Sequence, residues 1–264
     1  MKIEILPDIF DGETIHSGRS FNISMGALGE ECLAKIWHGW RWSSPARPIK
    51  NRIQRIFNKG NSTELKIIEA LKEKGVKFYD RDDGKQHKFY GFSKHVAGKV
   101  DGIIEKNGEK MLLEIKSSNQ KNYNSLIKHG LVKTFPNYYD TVQRYLEASS
   151  LDKCLYIIMC KNDESICTMI VHRDNDKIKS LLEKEKSIIF QETPFRAQYH
   201  SGFYKCSYCD HYSVCHLKGD PEQNCRTCKN GDVHDEGIWK CGLTDKELSI
   251  EEQKIGCDKY ERLF

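Results

Sequence analysis

The chain has no apolar run approaching the ~20 residues of a membrane-crossing helix, which excludes a helical membrane protein from the expected classes. Its first residues, MKIEILPDIFDGE, lack the basic start and apolar stretch of a secretory signal, so a cytoplasmic protein is expected. Charge of one sign is also missing. Forty-two Lys and Arg against 38 Asp and Glu leave +4, which permits a nucleic-acid partner without demanding one. With 38% hydrophobic and 30% charged residues, the 264-residue chain reads as soluble and globular. That length suits one large domain, or a domain with a small appendage.

The most informative stretch runs from Val96 to Ser117. Val100, Ile103 and Ile104, then Met111, Leu112, Leu113 and Ile115, read as two strands joined at Asn107-Gly108. An Asn-Gly pair between apolar runs is a strong hairpin signal, because both residues tolerate the positive φ of a two-residue turn. Counting outward from that turn sets Lys106 opposite Glu109 and Asp101 opposite Glu114. The period of two puts Glu114 and Lys116 on one face, with Leu113 and Ile115 on the other. Two carboxylates and an amine thus converge on one patch of a strand apolar enough to be buried on both faces. Opposed like charges need a compensator, and oxygen ligands suit magnesium or manganese. Lys116 could orient or help deprotonate an attacking water.

Eleven cysteines are present, seven of them between Cys206 and Cys257. Without a secretory context, such clustering argues for metal rather than disulfides. Cys154, Cys160 and Cys167 lie in apolar strand-like runs and read as core residues. Two CxxC pairs, Cys206/Cys209 and Cys225/Cys228, each let a tight turn aim two thiolates at one ion. Cys225, Cys228, Cys241 and Cys257 can close one structural zinc site, with His234 as a competing ligand. Cys206, Cys209 and Cys215 lack an obvious fourth partner. His211 or His216 would make a local zinc site; Cys32 would complete a four-thiolate set able to hold zinc or a [4Fe–4S] cluster.

In chain order, a helix is expected from about Ser24 to Trp42, with Cys32, Ile36, Trp37 and Trp40 on its apolar side. A longer helical pattern follows Pro48, interrupted at Gly60-Asn61-Ser62. Arg52, Arg55, Lys59 and Lys66 are spread along it and could meet phosphates. Lys77–Asp80 and His87–Phe92 read as strands, and His95 as a surface histidine. The polar stretch from Ser118 to Phe135 suits an arch facing nucleic acid, with Lys121, Lys128, His129 and Lys133 among Tyr123 and Phe135. A helix from Asn137 to Ser149, strands Cys154–Met159 and Ile166–Val171, and a helix from Asp174 to Ile188 complete the core.

Asp101, twelve intervening residues and then Glu114-Ile115-Lys116 resemble the D…ExK core of the PD-(D/E)XK nuclease superfamily. The closer likeness is to its RecB-like and lambda-exonuclease-like branch, including phage exonucleases and the iron–sulfur nucleases of CRISPR spacer acquisition. That resemblance implies a restriction-endonuclease-like α/β fold, a mixed sheet flanked by helices, over residues 1–200, followed by a cysteine-rich metal-binding region at 201–264. It implies a magnesium- or manganese-dependent DNA exonuclease, phage-type, in recombination or DNA processing, with DNA and a second copy or a recombination protein as partners. GNSTE is similar to the family's first motif and makes Glu64 a third metal ligand beside Asp101, Glu114 and the Ile115 carbonyl. Gln143 with Tyr145 falls where the family carries a Gln and a Tyr on this helix, and Gln143 would position substrate or Lys116; a strict Q-x-x-x-Y would need Gln where Thr141 stands. ALGEECLAKIWHGWRW is similar to the segment whose early cysteine joins a distant C-terminal set, which favours Cys32 with Cys206, Cys209 and Cys215. The reading from another class is a non-catalytic, zinc-dependent nucleic-acid binder; a related endonuclease is the nearer alternative.

Overall fold

The computed structural model describes residues 12–14, 19–46, 48–79 and 86–264. The N-terminal part holds strands β1 (Glu13–Thr14) and β2 (Ile23–Ser24), helix α1 (Leu33–Trp40), strand β3 (Ile49–Lys50) and helix α2 (Asn51–Glu73). Strands β4 (Lys77–Tyr79), β5 (Lys88–Tyr90), β6 (Val96–Lys99), β7 (Gly102–Lys106) and β8 (Glu109–Ser118) follow. Helices α3 (Gln120–Thr134) and α4 (Pro136–Ser149) then lead to β9 (Lys153–Cys160), β10 (Ile166–His172) and α5 (Asn175–Ile189). The cysteine-rich end adds α6 (Tyr204–Ser207), α7 (Tyr212–His216), β11 (Gly231–Val233), β12 (Trp239–Cys241), β13 (Lys246–Glu247) and α8 (Ile250–Ile255).

Five strands form the central sheet in the order β10-β9-β8-β7-β4. Only β8 and β9 run parallel, which makes the sheet mixed. A parallel pair needs a crossover, and α3 and α4 supply it. The hairpin has the expected register, with Lys106 opposite Glu109 and Gly102 opposite Leu113. Asn107 and Gly108 take φ of 54° and 80°, the left-handed pair that such a turn requires.

Strand β8 is buried on both faces. Met111, Leu113 and Ile115 pack with Ile67 and Ile68 of α2, while Leu112 joins Tyr156, Ile158, Val142 and Leu146 in the larger core under α4 and α5. The mixed sheet flanked by helices is therefore the architecture the sequence led us to expect.

Several local expectations are corrected. The helix expected over Ser24–Trp42 is a 3₁₀ segment, Met25–Gly29, followed by α1, with extended backbone at Glu30 between them. A Cβ on Gly29 would lie 2.6 Å from the Asn137 Cα, so α4 packs directly on this backbone and the chain turns there. Helix α2 runs unbroken through Gly60-Asn61-Ser62. An interior glycine costs about 1 kcal/mol relative to alanine, which the burial of Ile67 and Ile68 against β8 offsets. The polar segment after Ser118 is helix α3 rather than an arch. The Asn119 side chain accepts from the Asn122 N–H at 2.9 Å, and Tyr123, Leu126 and Leu131 are buried. His95 is buried, 1% exposed, with its Nε2 2.6 Å from the His234 carbonyl. Lys77–Tyr79 joins the central sheet, whereas Lys88–Tyr90 pairs with β6 in a smaller one; Asp80 lies outside the described residues.

The cysteine-rich end is fastened to α1 by two buried arginines. Arg226 sits 3.8 Å from the Trp42 ring centroid and donates to the carbonyls of Phe21 and Trp40. Arg41 lies between Trp37 and Trp239 and donates to the Arg226 carbonyl at 3.0 Å. Burial pulls these guanidinium pKa values down to about 10 for Arg41 and about 9 for Arg226. Charged groups this dry are held by carbonyl acceptors and aromatic faces.

Candidate active site and thiol clusters

Strand β7 begins at Gly102, so Ile115 of β8 has no ladder partner on that side. Asp101 fills the gap: its Oδ2 accepts from the Ile115 N–H at 2.7 Å. This contact fixes the carboxylate beside the strand and leaves its other oxygen facing Gln86, whose Nε2 lies 3.2 Å away. The same Gln86 Nε2 donates to Glu64 Oε1 at 3.1 Å. Glu64, Asp101 and Gln86 thus form one bridged unit, although Glu64 comes from a helix on the opposite face of the sheet from α4.

Glu114 and Lys116 point together toward the larger core, as the period of two requires. Across the parallel ladder Glu114 faces Tyr156 and Lys116 faces Ile158. Glu114 is 4% exposed. Its Oε1 accepts from Lys116 Nζ, while its Oε2 is buried with no hydrogen-bond partner among the described residues. Burial pushes the Glu114 carboxyl up to about 7; Lys116 opposes that shift, while Asp101 and Glu64 add to it. Burial by itself would lower the Lys116 pKa, but Glu114 and Asp101 outweigh it and hold the ammonium above its ordinary value. In this arrangement Lys116 is charged. It can orient a water or an oxyanion, and it can take a proton only after the acids find another counter-charge.

Gln143 does not join this cluster. Its amide donates to the His172 carbonyl at 2.9 Å and accepts from the Asp174 N–H at 2.8 Å, so both ends secure the β10–α5 junction. Tyr145, two residues on, does reach the site. Its hydroxyl is held by the Lys99 backbone, and burial first, then Glu114, raises its pKa. The Tyr138 ring centroid lies 5.9 Å from Lys116 Nζ. Tyr156 is fully buried, with no partner for its hydroxyl. Two residues apart on α4, Gln143 and Tyr145 point to different sides, and only the helix's docking decides which side meets β8. Gln86 carries no motif at all; its role comes from the path of the chain before β5.

The thiols fall into two neighbourhoods. Cys32 caps the start of α1, and Cys206 and Cys215 ride on α6 and α7. The Cys215 thiol is pushed up to about 11 by burial and then by Cys32, Cys209 and Cys206. Cys225 rises to about 11 by burial and then by Cys228, Cys257 and Cys241. Crowded thiols whose ionisation is mutually opposed are what a cation relieves. All eleven cysteines are free of disulfides. Among the described residues, no three His, Cys, Asp or Glu side chains are drawn in closely enough to grip an ion as they stand. A cation would therefore have to gather each set.

As donors, Asp101, Glu114, Glu64 and the Ile115 carbonyl make a hard oxygen set suited to magnesium or manganese. The buried, unpartnered Glu114 Oε2 fits that group, because a carboxylate oxygen without a donor is costly unless a cation meets it.

No protein-family model matches the chain, and neither does any curated protein. Among solved structures it is similar to SSO0001, at 17% identity and a TM-score of 0.46, over 77% of this chain and 90% of that one. It is also similar to the alkaline exonuclease LHK-Exo from Laribacter hongkongensis, at 15% identity and a TM-score of 0.43, over 64% and 91%. A phage-related exonuclease from Haemophilus somnus shares 17% identity at a TM-score of 0.36, over 50% and 69%. At these identities and TM-scores the likeness carries no assignment of function.

Proposed function

We propose that the chain is a divalent-metal-dependent deoxyribonuclease that hydrolyses phosphodiester bonds, working from DNA ends in recombination or DNA processing. The observation that carries this reading is the convergence of Asp101, Glu114 and Lys116 on one buried patch, with Glu64 tied in through Gln86. A magnesium or manganese ion bound there would lower the pKa of a water and neutralise charge on the phosphate. Asp101 would hold it through the oxygen not committed to the Ile115 N–H, and Glu114 through Oε2. Lys116 Nζ, 3.5 Å from the Ile115 carbonyl, would stand beside the attacked phosphate as a charged donor to its developing oxyanion. Tyr145 and Tyr138 fix the walls around that amine.

The two thiol sets support a second part of the reading: Cys225, Cys228, Cys241 and Cys257 hold structural zinc, and Cys32, Cys206, Cys209 and Cys215 hold zinc or a [4Fe–4S] cluster. Each replaces apolar core that a short tail cannot build. The deciding experiment is linear DNA with magnesium, comparing the intact chain with Glu114→Gln. The intact chain degrades it and the variant does not; equal degradation by both removes the reading. Circular against end-labelled linear DNA separates endonuclease from exonuclease action.

A further inference from the structure

Helix α2 carries one apolar stripe along its length, but the sheet covers only half of it. At 3.6 residues per turn, Ile53, Phe57, Glu64, Ile67 and Ile68 fall within an arc of about 100°. Ile67 and Ile68 are buried against β8, at 5% and 6% exposure. Ile53, Ile56 and Phe57 are 36%, 41% and 50% exposed, and no residue from Asn51 to Ser62 is buried. Glu64 stands at the boundary, where the covered stripe ends and the acid cluster begins. The uncovered half carries Arg52, Arg55 and Lys59, with Lys50 just before it at the end of β3, opposite Glu13 of β1; no acid lies between Lys50 and Thr63 in sequence. An apolar ridge with cations along one side therefore projects beyond Glu64.

We infer that this ridge binds the unpaired strand of the DNA end that the acid cluster cuts, an inference that rests on the nuclease reading. A rise of 1.5 Å per residue sets Phe57 about 10 Å and Ile53 about 16 Å beyond Glu64. Those are roughly three and five stacked nucleotides at 3.4 Å each. The cations take phosphates, while the Phe57 ring and the isoleucines take base faces. Paired bases within a duplex hide those faces in the stack; a single strand offers them. The charge of the ridge favours a polyanion over a second copy of this chain, which would bring four more cations to the same face.

The test measures binding of the full chain carrying Glu114→Gln, with magnesium present, so that substrate survives. Ile53→Ser with Phe57→Ser alters exposed positions and leaves the unfolding transition in place. It should weaken binding to a duplex with a single-stranded tail roughly tenfold and leave blunt-duplex binding unchanged. Arg52→Gln with Lys59→Gln should weaken both and flatten the salt dependence by about 0.7–0.9 per lost phosphate contact. Unchanged binding of tailed DNA by the serine variant overturns the inference, as does a self-associated chain that this variant dissociates. Cleavage by the unaltered chain alongside that unchanged binding sinks this inference alone; a chain that neither binds nor cuts DNA sinks the nuclease reading with it.

Discussion

Removing the charge of Glu114 should make the protein more stable while silencing it. The carboxyl is 4% exposed, and burial raises its pKa from 4.5 to about 7. A group whose pKa is higher in the folded state binds more protons there, so folding weakens as pH rises through that interval. At 1.36 kcal/mol per pKa unit, the whole shift corresponds to roughly 3 kcal/mol, most of it between pH 5 and pH 8. The stability contributed by the protonated carboxyl is complete below pH 4.5 and gone above pH 7. Glu114→Gln keeps the shape and cannot ionise. Urea unfolding without divalent ions, followed at pH 5 and pH 8, should show the variant gaining about 2–3 kcal/mol on the parent across that range. Added magnesium should then stabilise the parent more than the variant, which offers the ion only Asp101, Glu64 and the Ile115 carbonyl. Parallel stability–pH curves for the two proteins would refute the claim that this carboxylate is buried at a cost.

Other perturbations have equally specific outcomes. Arg144 and Glu185 form an ion pair with both side chains fully buried, and Glu185 Oε2 also accepts from the Phe92 N–H at 3.2 Å. Glu185→Ala leaves the dry guanidinium with Glu147 alone, at 2.8 Å, and the Phe92 N–H without its carboxylate, and should cost up to about 3–5 kcal/mol in denaturant unfolding; a loss typical of a surface site would contradict the burial. A Cβ at Gly98 would lie 2.5 Å from Tyr145 Cε1 and 2.9 Å from its hydroxyl. Gly98→Ala should therefore displace that ring, costing about 1–3 kcal/mol and lowering DNA cleavage, whereas unchanged turnover would free Tyr145 of any role. Cys206→Ser and Cys225→Ser should each remove one metal centre and spare the other, read by metal analysis and absorption of anaerobically purified protein. Cys32→Ser should reproduce the Cys206→Ser result; a full complement of metal in that variant would restore a local histidine ligand.

The hairpin was legible because its determinants are local. Asn107-Gly108 fixes the turn, the turn fixes the register out to Gly102 and Leu113, and the alternation of β8 puts Glu114 and Lys116 on one face just past that end, where Asp101 follows without any tertiary information. Elements flanking it were legible to within a residue or two wherever a cap marked them, as Asp174 does for α5 and Pro136 for α4. The misread stretches share a cause. Gly29, Gly60 and the polar run after Ser118 carry loop-like residues, and what lies around them decided their conformations: α4 packs on Gly29, the core on Tyr123 and Leu126, while Gly60, with open space about it, is carried along by the helix on either side.

The sequence by itself therefore determined the acid–amine patch, the two CxxC pairs and the alternation of helices and strands, since each depends on neighbours a few residues away. Tertiary structure alone decided that Gln143 anchors a loop while Tyr145 meets the acids, and that Gln86 bridges Glu64 to Asp101. It also brought Cys32 to the distant thiols and left half of α2 uncovered. The physical reason is common to all of these. A helix or a thiol chooses its partner by docking, and docking is set by the apolar area of the whole core, which no local pattern encodes.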